Sequence, residues 1–88
     1  MKLHALLTVD LRSPDAPERI LFYAALAARK WQKERDLSTA WIATFKEGIS
    51  PDVAHKEVAA DLAHAAQSAG DVHFDAIVLV GPYEPVRL

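Results

Sequence analysis

An α+β fold in the order strand, helix, hairpin, helix, strand is predicted by three features of this 88-residue sequence. Two segments, Lys2 to Leu11 and His73 to Gly81, alternate their side chains with the period of a strand. Two others open on a serine followed by a proline and carry apolar residues at helical spacing. Between them, Lys30 to Lys46 mixes alternating charge with turn residues. The composition, 51% hydrophobic and 25% charged with three glycines, suits one folded domain over residues 1–88.

The first strand places Leu3, Ala5, Leu7, Val9 and Leu11 on one face and Leu6 and Thr8 on the other. Its apolar stretch is short, alternates and lacks a small-residue cleavage site, so it reads as a strand and not as a signal segment. Ser13 then serves as N-cap with Pro14 at the first helical position and Pro17 within the first turn. The helix runs through Arg29, and its buried stripe is read as Ile20, Ala24 and Ala27, or as Leu21, Ala24 and Ala28.

Lys30 to Arg35 reads in two ways. Lys, Gln, Glu and Arg would continue the helix, but Trp31, Lys33 and Arg35 alternate with Gln32 and Glu34, which favours a second strand. A turn at Asp36-Leu37-Ser38 leads into a third strand, Thr39 to Lys46. Gly48 ends it. Ser50 caps the second helix, with Pro51 at its first position and Asp52 at the positive end of the helix dipole. That helix reaches about Ala69, with Ala54, Val58, Leu62, Ala65 and Ala69 buried and Gly70 as the stop. The last strand spans about Val72 to Val80, closed by Gly81-Pro82. The tail Y-E-P-V-R-L is loop, or a short edge strand exchanged with a partner.

This βαββαβ order is that of the ferredoxin-like fold, an antiparallel sheet with both helices on one face. The strands are nevertheless apolar on both faces. Leu6, Trp41, Phe45, Ile77 and Leu79 are assigned to the uncovered side, which predicts a homodimer packed sheet face to sheet face.

The sequence has no cysteine, so neither a disulfide framework nor a thiolate metal site is available, and a cytoplasmic location is expected. No run approaches the ~20 apolar residues of a membrane helix. A formal charge of −2 gives no general pull on nucleic acid, so such binding would need a local patch. The histidines do not gather: His55 and His64 fall on opposite sides of one helix, and His4 and His73 open antiparallel neighbours.

Two features carry candidate chemistry. Asp10 closes the first strand and points to the uncovered face, where a two-fold axis would pair it with its symmetry mate. Paired carboxylates hold Mg²⁺ or Mn²⁺. The plainer reading is a strand-end carboxylate bonded to Arg12 or the following turn. Arg29, Lys30, Lys33 and Arg35 surround Trp31, a basic cluster with a stacking ring suited to a phosphate backbone, although Glu34 and Asp36 interrupt it. A solvated hairpin face is the plainer alternative.

The strand L-L-T-V-D-L, the hairpin K-W-Q-K-E-R-D-L-S-T-A-W-I-A-T-F, a helix opened by S-P-D and a last strand F-D-A-I-V-L-V-G resemble the small ferredoxin-like proteins of the CRISPR-associated Cas-two superfamily and its GhoS-type relatives. The resemblance implies a homodimer, and in some members metal-dependent cleavage of RNA or DNA with an aspartate ligand corresponding to Asp10. In others the role is that of a nucleic-acid-binding adaptor. Ala43 stands where the third-strand motif has a serine, while Phe45 is retained. The expected function is therefore a homodimeric adaptor, nucleic-acid-associated through Lys30, Trp31, Lys33 and Arg35, without a cofactor. The alternatives are a nuclease with Mg²⁺ or Mn²⁺ on Asp10, and a dimeric α+β barrel that binds or transforms a small molecule.

Overall fold

Alternating side chains make β1 (His4–Leu11) the centre of the molecule, and the computed structural model, which describes residues 1–88, builds the sheet around it. β1 pairs antiparallel with β3 (Ala40–Thr44) on one side and with β4 (Phe74–Gly81) on the other. A two-residue β2 (Gln32–Lys33) adds to β3 and completes the order β2-β3-β1-β4. With α1 (Ala16–Ala28) after β1 and α2 (Pro51–Ser68) after β3, the topology is ferredoxin-like. β4 is an edge strand paired along one side only, and no helix is long and apolar enough to cross a membrane.

The register settles which face is which. Leu7 stands between Trp41 and Val78, so the odd residues of β1 and β3 and the even residues of β4 share one face. That face carries Ala5, Leu7, Val9, Trp41 and Phe45 into the core beneath the helices. Trp41 (2% exposed) and Phe45 (8%) therefore belong to the core, not to the uncovered face expected from the sequence. The uncovered face carries His4, Leu6, Thr8, Asp10, Ala40, Ile42, Asp75, Ile77 and Leu79.

Both helix entries are capped, though one is displaced from its expected place. In α2, Ser50 Oγ accepts from the Val53 N–H at 3.2 Å, and the expected stripe Ala54, Val58, Leu62, Ala65 and Ala69 is buried. In α1 the N-cap is Asp15, not Ser13, which instead takes a left-handed φ of 48°. Asp15 and Glu18 exchange bonds of 2.8 and 2.9 Å in a capping box, and Pro17 occupies the second helical position. The buried stripe of α1 is Phe22, Ala25 and Leu26, whereas Ile20, Leu21, Ala24, Ala27 and Ala28 face outward.

The ambiguous segment resolves at the end of α1. The Lys30 N–H donates to the Ala27 carbonyl and the Trp31 N–H to that of Leu26, the two bonds of a Schellman motif. This places Lys30 at a φ of 71°, where glycine is the usual residue. Trp31 is 3% exposed and packs with Leu26 in the core. Its indole N–H donates to Asp61 Oδ2 of α2 at 2.9 Å, and Arg29 Nη1 reaches the other oxygen at 3.3 Å. The hairpin thus forms as expected, with its first strand cut from Lys30–Arg35 to Gln32–Lys33 because Trp31 is claimed by the core. α2 ends in the same way, with Gly70 at a φ of 81° and the Asp71 N–H on the Ala66 carbonyl.

Beyond β4, the tail of residues 82–88 turns back over the uncovered face. Pro85, Val86, Arg87 and Leu88 share a groove with Leu6, Leu37, Ala40 and Ile42, and Ala40 is buried there outside the main core. Arg87 fastens the tail to the hairpin through Glu34 at 3.3 Å and Asp36 at 3.7 Å.

Two substitutions of opposite sign test this account. Lys30→Gly relieves the left-handed residue and is expected to stabilise the fold by about 1 kcal/mol. Asp61→Ala leaves the buried Trp31 N–H without its acceptor and is expected to cost about 1–3 kcal/mol. Chemical denaturation measures both, and equal midpoints for the three proteins would refute the assignment.

Candidate functional site

The uncovered face ends in a polar corner built by register. Thr8 lies opposite Ile77 and Asp10 opposite Asp75, so the antiparallel pairing sets two carboxylates side by side. Arg12 extends from the end of β1 and grips Asp75 through both oxygens, Nε to Oδ2 at 2.8 Å and Nη2 to Oδ1 at 2.7 Å. The guanidinium bond and its charge hold the Asp75 carboxyl below the usual carboxylate range, and Arg12 is raised in turn. Asp10 keeps no hydrogen-bond partner of its own. It stands between two clefts, one of about 440 Å³ with Thr8, Thr39, Asp75 and Ile77 on the open side, the other of about 390 Å³ below α1.

Within one chain, Arg12 engages both oxygens of Asp75, Asp10 stands as a free carboxylate, and no group of three metal-ligating side chains assembles. The histidines stay apart, and His4 is engaged by its neighbour, with Nδ1 at 3.0 Å from Thr44 Oγ1.

The basic cluster read from residues 30–35 is taken apart by the fold. Trp31 is inside, so it offers no stacking surface, and Lys30 turns with the end of α1 toward a recess shared with Arg29, Lys46, Glu57 and Asp61. Lys33 points to the helix side, where its Nζ lies 5.6 Å from the centroid of the Tyr23 ring. Arg35 is exposed in the turn. In place of a patch, Lys33 shares the cleft below α1 with Arg19, a residue to which sequence spacing gives no connection.

Among the expected interface residues, Ile77 (76% exposed) and Leu79 (72%) project from β4, and Leu6 is half covered by the tail. Leu37, Tyr83, Val86 and Leu88 are also exposed on or beside this face. Sequence reasoning missed Asp75, Asp61, Arg19 and the returning tail. For Asp75 a signal existed: with β1 and β4 antiparallel, its position in F-D-A-I is the register partner of Asp10.

No protein-family model, curated protein or solved structure matches this chain. The fold defines a ferredoxin-like α+β protein, and the narrower resemblance to the Cas-two superfamily rests on the sequence pattern alone.

The Arg12–Asp75 pair makes a pH prediction. A carboxyl held below its unfolded value contributes stability that is present above that value and lost as the pH falls through the folded one. The Asp75 carboxyl resonance is therefore expected to titrate below the ordinary aspartate range of about 4, and Arg12→Gln to return it there. Identical midpoints in the two proteins would show that the pair does not hold in solution.

Proposed function

We propose that this chain is a homodimeric interaction module whose working surface is the uncovered sheet face together with the tail that crosses it. One observation carries the reading. Of the ten large apolar side chains left exposed, six lie on or beside this face: Leu37, Ile77, Leu79, Tyr83, Val86 and Leu88. An apolar concentration of this kind favours a protein surface as its cover, and a second copy presents a matching one under two-fold symmetry. Burial of Ile77 and Leu79 contributes roughly 1.5–3 kcal/mol for each side chain. The role is that of a scaffold or adaptor.

A nucleic-acid partner is the second reading, favoured by Lys33 and Arg35, which hold no carboxylate. Retardation of RNA or DNA at low salt, lost in the double variant Lys33→Glu/Arg35→Glu, is the result it requires.

For the dimer, light scattering is expected to give twice the 9.7 kDa chain mass at micromolar concentration. The double variant Ile77→Asp/Leu79→Asp is expected to be a folded monomer, its association weakened by at least a hundredfold. A monomeric wild type, or a double variant that stays dimeric, would remove the sheet face from this role.

A further inference from the structure

Below α1, Arg19 and Lys33 converge from two different elements on the cleft of about 390 Å³, whose other polar walls are Asp10, Tyr23, Ser38 and Thr39. Neither cation has a carboxylate within salt-bridge distance, whereas Arg12, Arg29 and Arg87 each hold at least one. Lys33 is positioned by the Tyr23 ring. That ring stands edge-on to Trp41 at 5.4 Å and to Phe22 at 6.5 Å, both of them buried. The charge is therefore set in place before any ligand arrives, which lowers the ordering cost of binding.

The chemistry of the walls selects a ligand. Two cations and the hydroxyls of Tyr23, Ser38 and Thr39 make a donor-rich surface suited to a phosphate group. Asp10 only accepts when ionised, so it repels a bare anion and accepts from a hydroxyl. A volume of about 390 Å³ lies at the lower end of the roughly 300–1,000 Å³ typical of small-molecule sites. We infer that this cleft binds a small hydroxylated phosphate monoester, with Arg19 and Lys33 on the phosphate and Asp10 on a hydroxyl of its body. The sugar phosphates and the mononucleotides share this chemistry. Arg19 and Lys33 lie on the helix side, away from the apolar interface surface, and Asp10 stands at the strand end between the two clefts, so the site does not rest on the chain being a dimer.

Amide chemical-shift titrations of the full chain with ribose 5-phosphate, 5′-AMP, inorganic phosphate and a single-stranded RNA oligomer test the inference. Saturable shifts at residues 9–11, 19, 23, 33, 38 and 39 are expected with ribose 5-phosphate. Equal binding of 5′-AMP indicates a mononucleotide ligand, and its exclusion indicates a sugar phosphate. Arg19→Ala and Lys33→Ala, shown to be folded by their own spectra, are expected to weaken binding about tenfold each, with Lys33→Arg restoring it. Asp10→Asn is expected to weaken ribose 5-phosphate and to strengthen inorganic phosphate, an opposition that a merely structural role would not produce. Absence of saturable shifts with either monoester overturns the site. Binding of the RNA oligomer alone also overturns it, in favour of the nucleic-acid reading, and equal response of both ligands to Asp10→Asn overturns the role of Asp10.

Discussion

One half-buried carboxylate, Asp61, sets the geometry on which the rest of the chain depends. It accepts from the indole of Trp31 and the guanidinium of Arg29, which flank Lys30 just past the end of α1. Both contacts cross from the first βαβ half of the chain to the helix of the second. The pair of bonds holds Trp31 in the core, and the chain must then reverse at Lys30 in a left-handed conformation. β2 can start only after that reversal, so it is short, and Lys33 is delivered to the helix side above Tyr23. Without the clasp, residues 29–35 would be free to extend the helix, as their propensities favour.

The two faces of the sheet are apolar for different reasons. Beneath the helices, Trp41, Leu7, Phe22 and Leu26 are shielded by close packing, and the face contributes to stability. On the other side the tail shields only part. Leu6, Ala40 and Ile42 lie under or beside it, while Ile77 and Leu79 on β4 remain in water. The tail adds Val86 and Leu88 to the surface as it covers what lies below, so it moves the apolar area outward and does not remove it. The face therefore stays apolar after the chain has folded back on itself.

Element order, both helices and the antiparallel sheet were legible because strand and helix periods differ and because prolines and glycines mark the ends. Side assignment was harder. Period two separates Trp41, Ala43 and Phe45 from Ala40, Ile42 and Thr44 without saying which set faces the helices, and the bulk of Trp41 was the clue to follow. In α1 only Glu18 and Arg19 are charged, so periodicity finds an apolar stripe on either side, and packing selects Phe22 and Leu26 by size. The candidate site was less legible still. Asp10 is visible as a strand-end acid, but Asp75, Arg19 and Lys33 join it only through register and helix placement, which are long-range properties.

The position of β4 also governs how the chain reaches this structure. β1 lies in the middle of the sheet, and its partners on the β4 side are 63 residues away at Leu11–Phe74 and 77 away at His4–Gly81. Synthesis proceeds at roughly 5–20 residues per second, so β1 waits several seconds for the strand that closes its second side. Pairings of such sequence separation are slow to form, since the intervening chain must be ordered before they contribute. During that interval β1, α1 and the hairpin can assemble, with Trp31 and Leu7 partly open to water. Until Phe74 to Gly81 has emerged, the nascent chain keeps that side of β1 unpaired.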